Sequence, residues 1–368
     1  MPEKSVLKEF QALPLAQKVI KSQMRIAEWY EHYNGNVFVS FSGGKDSTVL
    51  AHLVRQLYPD VPLVFSNTGL EYPEIQSFAR KMGAEFVRPK MMFTDVISKY
   101  GYPIISKEVS KTIYEARKNK GSQNENIRRQ ELFGTRLNPK TGELCPYQKT
   151  KWLSIARDAK FRISDKCCSA MKKTPIRSYQ SKTKRVPYIG TLAEESRLRE
   201  SAWLHHGCNA FEGKKPSSQP MAFWREADVL RYIKEEGLEI ASVYGEIACI
   251  DKDGFAYEVM PGCECDLKCT GCQRTGCIFC GYGAHLDRDT PTRFQRLAKT
   301  HPKQYEYCMG GGQWVDNPDY DPTIPEKNGE WVNWNPKKIW VPSKQGLGMK
   351  KVFDDCNEIY GKDFIRYE

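Results

Sequence analysis

Apolar residues recur with helical spacing over residues 14–33, at Ala16, Val19, Ile20, Met24, Ile26, Ala27, Trp29 and Tyr30, before Gly35 and the apolar run Val37, Phe38, Val39. The pattern predicts a helix, a turn and a buried strand. Residues 46–58 return to helical spacing through Val49, Leu50, Leu53, Val54 and Leu57, and Pro59 ends them ahead of a short apolar run at 61–65. A helix over 72–82, with Pro73 in its first turn, and short strands at 85–87 and 186–191 continue the alternation. Strands that alternate with helices predict an α/β fold, a doubly wound parallel sheet with helices on both faces. Composition shifts divide the chain into a domain over 1–245 with a basic insertion at about 107–185, a Cys-rich appendage over 246–310, and a Trp- and Lys-rich tail over 311–368.

With 368 residues, 40% of them hydrophobic and 27% charged, the chain is long enough for a full core, and its composition excludes disordered and membrane classes. The first residues carry both charge signs, and no apolar stretch reaches the roughly 18 residues of a membrane span, so a cytoplasmic protein without membrane contact is expected. Cysteines there stay reduced, and clustered ones among the thirteen are read as metal ligands rather than disulfides. Cys145, Cys208, Cys249 and Cys308 stand alone and are read as small core residues. The net charge of +11 is concentrated in residues 107–185, which hold 21 Lys and Arg against 7 Asp and Glu. That excess fits either a polyanion-binding surface or a solvated face around a pocket. Residues 119–142, rich in Asn, Gln, Gly and Arg, are expected to form a mobile insertion.

The segment Ser40-Phe41-Ser42-Gly43-Gly44-Lys45-Asp46-Ser47 leaves a strand and opens a helix. Adjacent glycines let the backbone fold around an anion, and the helix N-terminus, the Ser42 and Ser47 hydroxyls and Lys45 all favour negative charge there. Asp46 opposes a phosphate unless it serves a magnesium ion. The adjacency of the glycines excludes a Walker A loop. The string Ser-Gly-Gly-Lys-Asp-Ser resembles the PP-loop of the ATP pyrophosphatases.

Further blocks are similar to the phosphoadenosine-phosphosulfate (PAPS) reductase family of that superfamily. They are Asn67-Thr68-Gly69-Leu70-Glu71-Tyr72-Pro73-Glu74, then Cys167-Cys168 with Lys172 and Pro175, then Pro220 with Trp224, Asp228 and Tyr232. The resemblance implies that an adenine nucleotide lies on the sheet ends, its phosphates on residues 42–47 and its nucleoside near Asn67, Thr68, Gly69 and Glu71. Gly190, Glu195, Ser196 and Arg199 match a further nucleotide-binding block, although Leu192 stands where that block has an arginine. The family also implies a [4Fe-4S] cluster on Cys167, Cys168, Cys277 and Cys280, for which four thiolates are the required donors.

Six cysteines fall within residues 263–280, so Cys263, Cys265, Cys269 and Cys272 make a possible second set, suited to Zn2+. The tail interleaves Trp314, Trp331, Trp334 and Trp340 with lysines, which suits either base stacking or the packing of a loop-rich lid.

Three functional readings stay open. In the first, Lys45, Asp46 and Ser47 with Mg2+ support cleavage of ATP to AMP and pyrophosphate, adenylating an acceptor for sulfur transfer; the basic segment points to a nucleic-acid acceptor. In the second, the chain is a sulfonucleotide reductase. Against it, the loop is intact and Cys356 lies in Phe-Asp-Asp-Cys-Asn rather than in the reductases' Glu-Cys-Gly-Leu-His. In the third, the chain is a nucleotide-sensing subunit that regulates a protein partner.

Overall fold

The strand Val37–Phe41 (β1) has four of its five residues fully buried, as a central strand covered on both faces must. In this computed structural model, residues 4–118, 121–213, 215–251, 255–258, 265–324 and 333–368 are described. The chain divides into two compact units, each built from two separated segments: unit 1 from residues 1–89 and 172–278, unit 2 from 90–171 and 279–368. Contacts thus divide the chain at other points than the composition shifts at 245 and 310. No helix among the described residues is long and apolar enough to cross a membrane.

Unit 1 holds a six-stranded sheet. Its order is Glu85–Val87 (β3), Leu63–Ser66 (β2), β1, Val186–Ile189, Ser217–Ser218, Asn209–Ala210. All neighbours are parallel except the last pair. In register, Val39 lies beside Leu63 on one side and Tyr188 on the other. The connection leaves β1 towards β2 and returns much later on the opposite side, so the strand order reverses at β1. Ligands of open α/β sheets bind at such a reversal, outside the carboxyl ends of the strands.

The helix Lys4–Ala12 (α1) precedes Leu15–His32 (α2), which buries Ile26 and Trp29 in the unit 1 core. Two polar residues of α2 are also buried, and both are satisfied. The Lys18 ammonium donates to Asp228 Oδ2 at 2.6 Å, and Ser22 Oγ donates to the Pro220 carbonyl at 3.0 Å while accepting from Trp224 Nε1 at 2.9 Å. The block Pro220, Trp224 and Asp228 therefore clamps α2 to the sheet. Lys45–Leu57 (α3) and Pro73–Lys81 (α4) follow β1 and β2, their buried Leu50, Leu53, Ile75 and Phe78 completing the same core.

A smaller antiparallel sheet joins Ile247–Ile250 to Ala256–Tyr257 and Leu267–Cys269. Here Cys265 is bonded to Cys249. This corrects two expectations: Cys249 is not an isolated core thiol, and Cys265 has no thiolate to complete a four-cysteine zinc set. Cys263 of that set lies outside the described residues.

In unit 2, residues 123–133 form a helix where a mobile loop is expected. The Ser122 hydroxyl caps it by accepting from the Glu125 amide at 3.2 Å, and Gly134 ends it in the left-handed conformation. Its Glu131 is buried and accepts from Arg128, Arg136 and Lys149. These contacts pull its carboxylate below the usual range against the opposing effect of burial. The segment's basic charge is thus partly consumed inside the unit. Arg117 goes further: buried, it donates to the carbonyls of Ile155, Ala156, Ala159 and Phe161. Burial lowers its pKa to about 9.

The tail's indoles are mostly packing elements. Trp334 Nε1 donates to the Ala159 carbonyl at 2.8 Å and Trp340 Nε1 to the Gly348 carbonyl at 3.0 Å. Trp331 lies outside the described residues.

Candidate nucleotide site

At the carboxyl end of β1 the chain turns through Gly43, at φ +72°, into α3. A Cβ on Gly43 would lie 2.8 Å from Ile75 Cγ2, so both the conformation and the packing require glycine. Ser47 Oγ donates to the Gly44 carbonyl at 2.9 Å and accepts from the Ser42 amide at 3.2 Å, which closes the loop on itself. Ser47 and Thr48 share the Gly44 carbonyl, so the Ser47 hydroxyl shapes the loop before it can reach a ligand. Gly190, at the end of the neighbouring strand, supports the loop from below: a Cβ there would meet the Asp46 carbonyl oxygen at 3.0 Å.

Two clefts meet at Ser42 and Thr275. The first, of about 150 Å³, is lined by the loop residues Ser42, Gly44, Lys45 and Asp46 together with Glu194, Glu195, Glu226, Tyr244 and Arg274. The second, of about 140 Å³, runs over the strand ends Ser40, Phe41 and Ser66 to Glu71 and Lys172. Each alone is below the roughly 300–1,000 Å³ of small-molecule sites, and their shared wall makes them two arms of one candidate site.

The electrostatics of the first arm are unusual for an anion site. Lys45 is buried, and its ammonium donates to Glu226 Oε1 at 2.9 Å. Burial raises the pKa of Asp46, with Glu226 acting in the same direction and Lys45, Arg274 and Arg199 opposing. The Asp46 carboxylate has no hydrogen-bond or ion-pair partner among the described residues. Four carboxylates thus line this arm with two cations, Lys45 and Arg274, while Arg199 neutralises Glu195 from outside the lining.

The remaining expected site residues split into contacts and supports. Glu71 is buried, accepts from Thr68 Oγ1 at 2.7 Å and from the Thr68 amide at 3.1 Å, and faces the Lys172 ammonium at 3.9 Å. Asn67 Oδ1 accepts from the Gly69 amide at 3.1 Å, so Asn67, Thr68 and Gly69 shape the turn that presents Glu71. Glu195 accepts from the Leu192 amide at 3.0 Å and pairs with Arg199. Ser196 caps the helix Arg197–His206.

Glu226, Tyr244, Arg274 and Thr275 belong to the cleft without having been expected there. Tyr244 Oη shares a hydrogen bond with Thr275 Oγ1. Burial raises the Cys269 thiol pKa while the nearby Lys45 ammonium opposes that rise, which puts Cys269 beside the loop lysine.

Of the expected cluster ligands, Cys167, Cys168 and Cys280 belong to unit 2 and Cys277 to unit 1. Cys167 and Cys168 have their Sγ atoms 4.0 Å apart. The Tyr282 hydroxyl donates to the Ser164 carbonyl at 3.0 Å, and its pKa is raised first by burial and then by Cys167, Cys168 and Cys280. Among the described residues no group of three or more His, Cys, Asp or Glu side chains is placed to hold a metal ion.

Comparison with known proteins bears on residues around the loop. Residues 36–131 match the phosphoadenosine phosphosulfate reductase domain. The phosphoadenosine 5'-phosphosulfate reductase of Klebsiella pneumoniae subsp. pneumoniae is 36% identical over 59 residues, which are 16% of this chain and 24% of that protein. The reductase of the same name from Xanthomonas axonopodis pv. citri is 32% identical over 75 residues, 20% of this chain and 31% of that protein. The chain thus spans less than a third of the length of either relative. A solved phosphoadenylyl-sulfate reductase from Candida auris, in a phosphate complex, aligns with 66% of this chain and 91% of its own at 14% identity, with a TM-score of 0.34. Over residues 36–131 the chain is thus similar to the PAPS reductase family.

Proposed function

We propose that the chain binds ATP with Mg2+ at the loop Ser42–Ser47 and cleaves it between its α- and β-phosphates, adenylating an acceptor for sulfur transfer. The observation that carries this reading is the charge of the first cleft. A bare polyphosphate would meet four carboxylates and two cations there. A metal-bound polyphosphate turns an unpaired carboxylate from a penalty into a ligand, directly or through water. Asp46 is the foremost candidate, being largely desolvated and without a partner among the described residues.

Within this reading the chain's own groups divide the work. Lys45 and Arg274 offset charge developing on the departing pyrophosphate, and the α3 N-terminus holds that group in place. Glu71 and Lys172 border the second arm, where the acceptor approaches. Cys167, Cys168 and Cys280, with Cys277, would hold a [4Fe-4S] cluster, whose chemistry when bound is to carry electrons or sulfur.

The runner-up is reduction of a sulfonucleotide, and the names of the relatives favour it. Cys356 does not serve as its attacking thiol: it is fully buried on Met349–Tyr360, and burial drives its pKa far up. A reactive thiol needs access and a lowered pKa.

Anaerobically purified protein, assayed for iron and then incubated with α-labelled ATP and Mg2+, with and without bulk RNA or DNA as acceptor, tests the proposal. AMP and pyrophosphate should appear, and Asp46→Asn should abolish them with the protein still folded. Sulfite release from a sulfonucleotide with no ATP cleavage would establish the reductase reading. Nucleotide binding without turnover of either would leave a sensing subunit. Loss of iron in Cys167→Ser and Cys280→Ser, with unchanged circular dichroism, checks the cluster ligands.

A further inference from the structure

Unit 2 carries a cleft of about 930 Å³ that the nucleotide chemistry does not use, and its walls include Trp314, Trp334, Lys160, Lys337 and Lys338. Trp314 is 44% exposed. Its ring is steadied edge-on by Trp340 at 5.5 Å between centroids, across the hairpin of Gln313–Asp316 with Lys338–Val341. Trp340 is itself tied down through its indole nitrogen and the Lys351 ammonium stands over the Trp314 ring at 5.8 Å, so the exposed part of Trp314 is set in advance and costs little entropy to use. The floor is rigid too: Trp334 is buried, hydrogen-bonded to Ala159, and stacked under the Arg117 guanidinium at 4.5 Å.

The charges on this cleft are of a different kind from those elsewhere in the basic segment. Arg117, Arg128, Arg136 and Lys149 are committed to internal partners. Arg157 is held by Asp158 through two hydrogen bonds of 2.8 Å. Lys160, Lys337 and Lys338 are exposed and form no ion pair among the described residues. Asp316 stands opposite Lys338 in the hairpin register without pairing to it. Three unneutralised ammonium groups around an exposed, pre-set indole match a ligand that alternates phosphates with flat bases. A duplex hides its base faces, and a polyanion without aromatic groups, such as polyglutamate, offers no ring to Trp314.

We infer that this cleft binds single-stranded nucleic acid, with Trp314 stacking on a base and Lys160, Lys337 and Lys338 on the phosphates. The inference stands on unit 2 alone and holds whichever nucleotide is turned over at the loop, so its assay contains no ATP. Fluorescence anisotropy of the full chain with a labelled oligothymidylate, and with its RNA counterpart, gives the affinity as a function of salt. Single-strand binding loses about 0.7 of a logarithmic slope per phosphate contact, so Lys160→Gln, Lys337→Gln and Lys338→Gln together should flatten the slope by about 2. Trp314→Ala should weaken binding about fivefold or more at fixed salt with the slope unchanged, and Trp314→Phe should recover most of it. All are surface substitutions, and thermal melts confirm that the variants fold. No binding, equal binding of a duplex, equal competition by polyglutamate, or affinities unmoved in both variants would each overturn the inference.

Discussion

Lys45 and Glu226 make opposite predictions at one ion pair. In the free protein the Lys45 ammonium donates to Glu226 at 2.9 Å, with Lys45 5% exposed and Glu226 40% exposed. A phosphate on the loop competes with Glu226 for that ammonium. A hydrogen bond to a charged group contributes about 1.5–3 kcal/mol. A pair with one half-exposed partner is worth about 0–1 kcal/mol, so giving it up offsets only part of the gain. Lys45→Gln should therefore cost about 1–2.5 kcal/mol of pyrophosphate affinity, roughly five- to sixtyfold in Kd. Glu226→Gln removes the competitor and one of four carboxylates, and should tighten pyrophosphate binding by up to about fivefold. Isothermal titration with pyrophosphate and Mg2+, at constant salt, measures both. Tenfold weaker binding in Glu226→Gln would refute the reasoning, because Glu226 would then hold the metal or the ligand itself.

Two further outcomes follow from the same loop. Asp46 has a folded-state pKa above its ordinary value, so the native state holds this proton more tightly than the unfolded chain. The stability it contributes is present below the ordinary carboxylate pKa, near 3.9, and is lost as pH rises through the folded value. Asp46→Asn should accordingly raise the thermal midpoint at neutral pH in metal-free buffer, and the difference should vanish below about pH 3; an equal gain at both pH values would contradict the burial argument. Gly43→Ala adds the left-handed strain, on the order of 1–2 kcal/mol, to the contact with Ile75, whereas Gly69→Ala, at φ +75° with nothing within 4 Å, carries the strain alone. Urea denaturation should rank Gly43→Ala as clearly the less stable, and equal losses would dismiss the Ile75 contact.

The parts legible in the sequence are those in which neighbours along the chain are neighbours in space. The turn from β1 into α3 needs only Ser42 to Ser47, and its strand and helix carry their own periodicity. Glu226, Tyr244 and Arg274 reach the same cleft from some 180–230 residues away, and nothing local marks them. Helix 123–133 was hidden for another reason: its residues are nearly all polar, and caps and the ion pairs of Glu131 order it where an apolar stripe usually would. The bond between Cys265 and Cys249 depends on the antiparallel pairing of Leu267 with Cys249, a property of the folded sheet that cysteine spacing does not encode.

The place of β1 in the sheet also sets a schedule for synthesis. Its flank towards β2 is filled within about 25 residues, but the strand for its other flank begins at Val186, about 145 residues after β1 ends. At roughly 5–20 residues per second, a ribosome leaves that flank open for on the order of ten to thirty seconds. During that interval the nascent chain exposes this largely apolar strand along an unpaired edge, a template for pairing with other chains. Slow, chaperone-rich expression should raise the yield of soluble protein more than any substitution on the finished surface.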